Sequence, residues 1–246
     1  MLNQLPEDKE KIIKLLSKGN ILQFQRLKSL DQDKIDALIT GYLKRKPIID
    51  EIKSRGVSID DLDDLKNSSL EESSYIKAVQ VLVNWLRKDI DLKIKAIIVS
   101  ELLARKISKS YAFPLIIEEF KKADHSLSKS GFYNEYVIFL GNAIVQWIDD
   151  KDSDVLFELA KDNNLIKNSF VIEALGNFKS KENKNQASQL VMNELKKKPK
   201  KASLIQLIDT ARRLKITAAK HILEPYSNSE DKEIKNEAKK ALKALY

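Results

Sequence analysis

The sequence predicts an all-α protein built from antiparallel helix pairs, and three observations carry that prediction. The 246 residues contain only six glycines and five prolines, too little punctuation for a chain of many hairpins. From about residue 70 onward, amphipathic segments of one helix length alternate with short polar breaks, their apolar residues recurring at three- and four-residue steps. Finally, Leu140-Gly141-Asn142 returns 35 residues later as Leu175-Gly176-Asn177, and Ala211 falls a further 35 on. A glycine inside a helix costs about 1 kcal/mol relative to alanine, so its reuse at one place implies that a neighbouring helix approaches closely there. A period of 35 fits a two-helix repeat whose apolar face is buried only by stacking on the next pair. The expected fold is therefore a right-handed α-solenoid.

The elements follow in order. Helical signals at residues 8–18, 20–30 and 33–45 show no clear repeat. They define an irregular helical N-terminal cap over residues 1–69, packed on the repeats and ending in Lys66-Asn67-Ser68-Ser69. The repeats then occupy residues 70–246 of a single structural domain. Helices are expected at 75–88 and 92–106, and the three-residue break Asp89-Ile90-Asp91 between them forces an antiparallel pair. Further helices are expected at 112–124, 134–148, 153–163, 166–178, 184–198, 203–214, 216–226 and 232–246. Asp152 or Ser153 is a candidate N-cap for one of these and Ser229 for the last, since a side-chain oxygen there accepts orphan backbone N–H groups.

Two segments, ALGNF at 174–178 and EIKNEAKKALKAL at 233–245, resemble HEAT-type repeats of the armadillo/HEAT superfamily. The tryptophan and tyrosine signature of TPR units and the TPLH of ankyrin units are missing, which favours HEAT among the solenoids. The resemblance implies a binding protein in which one helix of each pair lines a concave face.

Composition narrows the chemistry. There is no cysteine, which excludes disulfides, thiolate catalysis and cysteine-ligated zinc, and suits a reducing, cytoplasmic setting. The longest apolar runs, such as Ala96-Ile97-Ile98-Val99, are too short to cross a bilayer. The acidic N-terminus does not read as a secretion signal. The net charge of +8 is local: residues 1–150 hold 24 Lys and Arg against 23 Asp and Glu, and residues 151–246 hold 20 against 13. A basic C-terminal third admits contact with nucleic acid.

No catalytic constellation is complete. His125 and His221 lie nearly three repeats apart, His125 beside a serine-rich break where it is expected to be solvated and His221 on a helix face. HExxH, GxSxG, P-loop and GxGxxG motifs are all absent. Asp150-Lys151-Asp152-Ser153-Asp154 imitates half a calcium loop, but Val155 and Lys161 stand where the glycine and the glutamate are required, so helix capping is the reading and no metal or cofactor is expected. Asp60, Asp61, Asp63 and Asp64 crowd four carboxylates at a helix start, where they either complement the helix dipole or receive basic side chains of a partner. The run KKKPKK at 196–201, with Arg212, Arg213 and Lys220, offers phosphate contacts but no interleaved aromatics to read bases. Trp85 and Trp147 lie near helix C-termini, as interface anchors or as packing between repeats.

The expected function is non-enzymatic binding of a folded protein in a one-to-one complex. Small bacterial HEAT-like proteins of low glycine content, rich in Lys, Asn and Ile, resemble antidotes to polymorphic or contact-dependent toxins, and that resemblance implies an immunity protein whose partner is a toxin domain. The HEAT-like alkylpurine DNA glycosylases are also similar in length and basicity; the segment corresponding to their aspartate and tryptophan motif is Gln146-Trp147-Ile148-Asp149-Asp150, which lacks the paired tryptophan. A regulatory scaffold for an endogenous enzyme shares the same surface requirements.

Overall fold

The computed structural model describes residues 6–18, 21–66, 69–126, 134–162 and 168–245. Asn67 and Ser68 of the polar stretch, and residues 20, 163, 166, 167 and 246 of the expected helices, lie outside these. No strand occurs among the described residues, and the chain forms two compact units, residues 1–112 and 113–246.

The first unit contains α1 (Pro6–Leu16), α2 (Ile21–Lys28), α3 (Gln32–Ser54), a 3₁₀ turn (Leu62–Lys66), α4 (Glu72–Leu86) and α5 (Leu92–Leu102). Asp31 caps α3 by accepting from the Lys34 N–H at 2.9 Å, and Asp91 caps α5 by accepting from that of Lys93 at 2.8 Å. The third helix runs nine residues beyond the expected end at 45, straight through Pro47. An interior proline costs about 3 kcal/mol. Beyond it, however, Ile48, Ile49 and Ile52 are all buried, and each buried isoleucine returns about 1.5–3 kcal/mol. The helix stops at Gly56, whose φ of 81° lets its N–H turn back to the Lys53 carbonyl at 2.9 Å. α4 packs between α3 and α5, burying Tyr75, Val79, Leu82 and Leu86 along one stripe.

α6 (Lys109–Lys122) spans the boundary between the units. The second unit continues with α7 (Glu135–Trp147), α8 (Ser153–Lys161), α9 (Ser169–Leu175), α10 (Lys181–Lys196), α11 (Lys201–Leu214), α12 (Lys220–Leu223) and α13 (Lys232–Leu245). Helices two apart in the chain form a row: α9 packs on both α7 and α11, and α11 packs on α13. α10 lies against α11 and also touches α8 and α9. α9 and α11 therefore each bury one side on a predecessor and the other on a successor, which is the stacking of a helical repeat.

Gly141 explains the recurring tripeptide. A Cβ on it would lie 2.3 Å from the Phe170 ring of α9, so the ring occupies the space a side chain would need. At Gly176 the corresponding Cβ would lie 3.1 Å from the Arg213 guanidinium carbon. Ala211, the third member of the series, is fully buried.

Three local expectations are corrected. The segment 216–226 is not one helix but a 3₁₀ turn (Thr217–Ala219), the single turn of α12 and a second 3₁₀ turn (Pro225–Asn228), because Pro225 starts a new turn. The cap of α13 is Asp231, which accepts from the N–H groups of Glu233 at 3.0 Å and Ile234 at 3.3 Å, while Ser229 accepts only from Asp231. Asp152 does not cap α8 with its side chain; its carboxylate turns back to the Asp149 N–H at 3.2 Å, because a 3₁₀ turn (Asp150–Asp152) runs directly into α8.

Candidate functional site

The most organised polar surface is a seam across the row of the second unit. Asn177, at the end of α9, donates its amide to the Val145 carbonyl of α7 at 2.6 Å and accepts from the Arg213 guanidinium of α11. Arg213 donates a second bond to the Glu173 carbonyl at 3.3 Å, passing over the bare Gly176. One residue earlier on α11, Arg212 pairs with Asp209 and reaches to 4.0 Å from Glu237 of α13. α9, α11 and α13 thus present half-buried side chains of both charge signs and an amide, and α7 adds the Val145 carbonyl. Arg212 and Arg213, expected from the sequence as phosphate contacts, are in this seam; Lys220 stands at the start of α12, half-buried. Asn177 and Glu237 were missed by sequence reasoning, although the LGN recurrence already marked Asn177.

In the first unit the four clustered carboxylates have intramolecular partners. Asp61 holds Arg45 of α3 in a two-pronged pair at 3.0 and 2.7 Å, with both side chains largely buried. Asp64 accepts from the Asp60 and Asp61 N–H groups at 2.8 and 2.9 Å and pairs with Lys18 at 2.7 Å. Burial raises the Asp64 carboxyl, but Lys18 and these two N–H groups outweigh it, and the net shift is downward. Asp60 pairs with Lys53 at 3.2 Å and Asp63 with Lys66 at 3.0 Å. The cluster ties the 3₁₀ turn Leu62–Lys66 to the helices around it.

The tryptophans differ. Trp85 is half-exposed, its indole N–H donating to Glu51 at 2.7 Å and its ring lying 3.5 Å beneath the Lys88 ammonium. Trp147 is a core residue at 2% exposure, edge-on to Phe113 at 6.4 Å, with an indole N–H that meets no acceptor. That burial places it in the packing between helices rather than on a surface.

The acid and base candidates have structural places. His125 is not simply solvated: Nε2 contacts the Phe120 carbonyl at 2.5 Å, Nδ1 meets the Asn168 amide at 3.0 Å, and the ring lies edge-on to Phe120. Asn168 in turn caps α9 through the Phe170 N–H at 2.9 Å, so the histidine braces a helix start. His221 is exposed on α12. Asp149 accepts from the Lys151 N–H at 2.9 Å. Asp150 reaches into the next repeat, accepting from the backbone of Lys179 and Ser180 at 3.1–3.2 Å and from the Asn183 amide at 3.1 Å. Burial raises its carboxyl, but the Asn183 amide and those N–H groups bring it below its usual range. Asp150 is not the cap of a helix: it braces the segment before α10, whose N-cap is Ser180, while Asp149 caps the 3₁₀ turn Asp150–Asp152. Among the described residues no group of three or more His, Asp or Glu is placed to hold a metal, and no helix is long and apolar enough to cross a membrane.

No family model and no curated protein matches the sequence. Among solved structures the chain is similar to a designed armadillo repeat protein in complex with the peptide (KR)4, with a TM-score of 0.38 and 14% identity over 97% of this chain and 100% of that one. It is similar to a second designed armadillo repeat protein with a TM-score of 0.36 and 14% identity over 96% of this chain and 99% of the other. The helices and the packing of α7, α9, α11 and α13 make this an all-α protein whose second unit stacks its helices in a solenoid-like row.

Proposed function

We propose that the protein is a non-catalytic scaffold that binds a folded protein partner, one to one, across the polar seam of α7, α9, α11 and α13. The observation that supports this reading is the fixation of the seam: Asn177 and Arg213 are bonded across α7, α9 and α11, and Arg212 is held on α11 by Asp209 and approaches Glu237 of α13, so little side-chain freedom remains to be lost on binding. Arginine is enriched at the energetic centres of interfaces. The acids of the seam face these cations, an arrangement suited to recognition rather than proton transfer.

Within this reading the partner is a toxin domain and the protein its antidote, because neutralisation needs complementarity over about 1,600 Å² in total and no catalytic group. The test is co-expression with the product of the adjacent gene, followed by light scattering of the purified material. A one-to-one complex is expected, with Arg212→Glu and Arg213→Glu each weakening it by about 30-fold or more, an effect typical of interface centres. Lys77→Glu, on α4, leaves it unchanged. Protection of growth against the adjacent product separates the antidote from a general scaffold. A complex indifferent to both arginines, or no complex, sinks the proposal.

A further inference from the structure

We propose that a second surface, the groove between α10 and the connection from α11 to α12, binds the phosphate backbone of nucleic acid without reading its sequence. The groove has a volume of about 460 Å³ and is lined by Lys179, Lys181, Lys184 and Lys215, with Asn185 and Thr217 between them. The fold brings these lysines together from separate segments. Lys179 precedes α10, and Lys181 and Lys184 follow one turn apart on the same helix face. Lys215 comes from the other wall. Its backbone has a φ of 57°, the left-handed conformation that ends α11 and tucks Ile216 into the core.

Among the described residues no carboxylate lines the groove, and the four ammonium groups have no ion-pair or side-chain hydrogen-bond partner. Other lysines of the unit that meet an acid are paired with it, Lys201 with Asp231 and Glu233, Lys197 with Glu194 and Lys121 with Glu158, and the groove is where four unpaired ones face a common space. Two acids beside the groove, Asp150 and Glu182, form no ion pair with these lysines. Asp150 is directed at the backbone N–H groups of Lys179 and Ser180, and Glu182 follows Lys181 on α10, at a spacing that does not share a helix face. Four like charges converging without a counter-ion mark a place for an external anion.

The spacing of charge favours a regular polyanion. Lysine is a point charge that meets phosphate oxygens without needing a planar fork, and duplex DNA carries a backbone charge about every 1.7 Å of its axis, dense enough to engage several of the four lysines at once. Among the described residues the groove contains no aromatic on which a base could stack. The expected recognition is therefore of the backbone alone. The sequence pI of about 9.3 and the excess of 20 basic over 13 acidic residues after position 150 supply the long-range attraction.

Fluorescence anisotropy of the full chain with a mixed-sequence duplex DNA of about 20 base pairs, titrated at several salt concentrations, tests this. Four phosphate contacts give a slope of log K against log salt of about −3.6, a loss of roughly two orders of magnitude between 50 and 200 mM. Lys181→Ala, Lys215→Ala and Lys184→Gln, the last keeping an aliphatic stem at a half-buried position, each flatten the slope by about 0.9. Lys77→Ala leaves the slope alone, and so does scrambling the duplex. The proposal is overturned if no salt-dependent binding occurs at 50 mM, if the triple variant keeps the wild-type slope, or if poly-glutamate displaces the duplex at equal charge concentration. Because the seam arginines are untouched by these variants, failure here leaves the protein-binding reading standing.

Discussion

Glu101 is the residue where charge and burial are most opposed. It sits on α5 with its side chain almost fully buried, one oxygen 2.9 Å from Lys66 and the other, Oε2, without a partner. Tyr75 donates to its backbone carbonyl at 3.0 Å and accepts from the Ser108 hydroxyl at 2.8 Å, while Arg105 lies over the Tyr75 ring. Burial pushes the Glu101 carboxyl up to about 7; Lys66 opposes the rise, and Asp63 adds to it. Between pH 4.5 and 7 the folded chain therefore holds a proton that the unfolded chain has lost, so stability falls as pH rises through that window. Glu101→Gln, which imitates the protonated acid, is expected to leave stability near that of the wild type at pH 5. At pH 8 it should raise stability by about 1–3 kcal/mol. Urea unfolding at the two pH values measures this, and a variant that keeps the wild-type pH dependence would falsify the assignment. Nothing in the sequence distinguished Glu101 from its neighbours, because its burial depends on Lys66 and Asp63, 35 or more residues away.

At the scale of the helices, the two glycines of the LGN recurrence carry different loads. At Gly141 the Phe170 ring is a bulky, packed obstacle, so Gly141→Ala must force α7 and α9 apart or drive the ring from its rotamer, at a cost of about 1–3 kcal/mol. At Gly176 a Cβ would meet the bonded Arg213 guanidinium at 3.1 Å and the Glu173 carbonyl at 3.2 Å, contacts that need only a small adjustment, and the backbone φ of −71° suits alanine. Gly176→Ala is therefore expected to cost about 1 kcal/mol or less, below the cost of Gly141→Ala. Equal effects of the two substitutions in thermal melts would contradict this packing account. This is also where the sequence was most legible: a repeated small residue is a direct trace of close approach, and the helix positions follow from periodicity within each segment. What stayed hidden depends on contacts across segments. Asp150 looked like a local cap or a calcium ligand because the N–H groups it accepts from, those of Lys179 and Ser180, belong to the next repeat. α3 seemed to stop before Pro47 because the burial that carries it onward comes from tertiary packing.

For the molecule as a whole, composition told more about where charge lies than about what it does. The acidic cluster at 60–64 suggested a receiving surface, yet Arg45, Lys53, Lys66 and Lys18 already answer it within the fold. The row of the second unit has a consequence that reaches beyond any one helix. An isolated helix of 14 residues is marginal in water, so α13 owes its stability to its contacts with α11, α12 and the turn Pro225–Asn228, made through Ala238, Ala241 and Leu245. In a stack coupled through nearest neighbours, removing α13 withdraws that interface from α11 first and from the remaining helices only through it. Deleting Lys232–Leu245 is therefore expected to lower the unfolding midpoint and to speed amide exchange in a gradient, strongly in α11, less in α9 and least in α7. Hydrogen exchange followed by mass spectrometry resolves the three helices. An unchanged midpoint would mean that α13 is an attached tail rather than a member of the row, and equal acceleration in all three helices would mean that the second unit unfolds as one block instead of repeat by repeat.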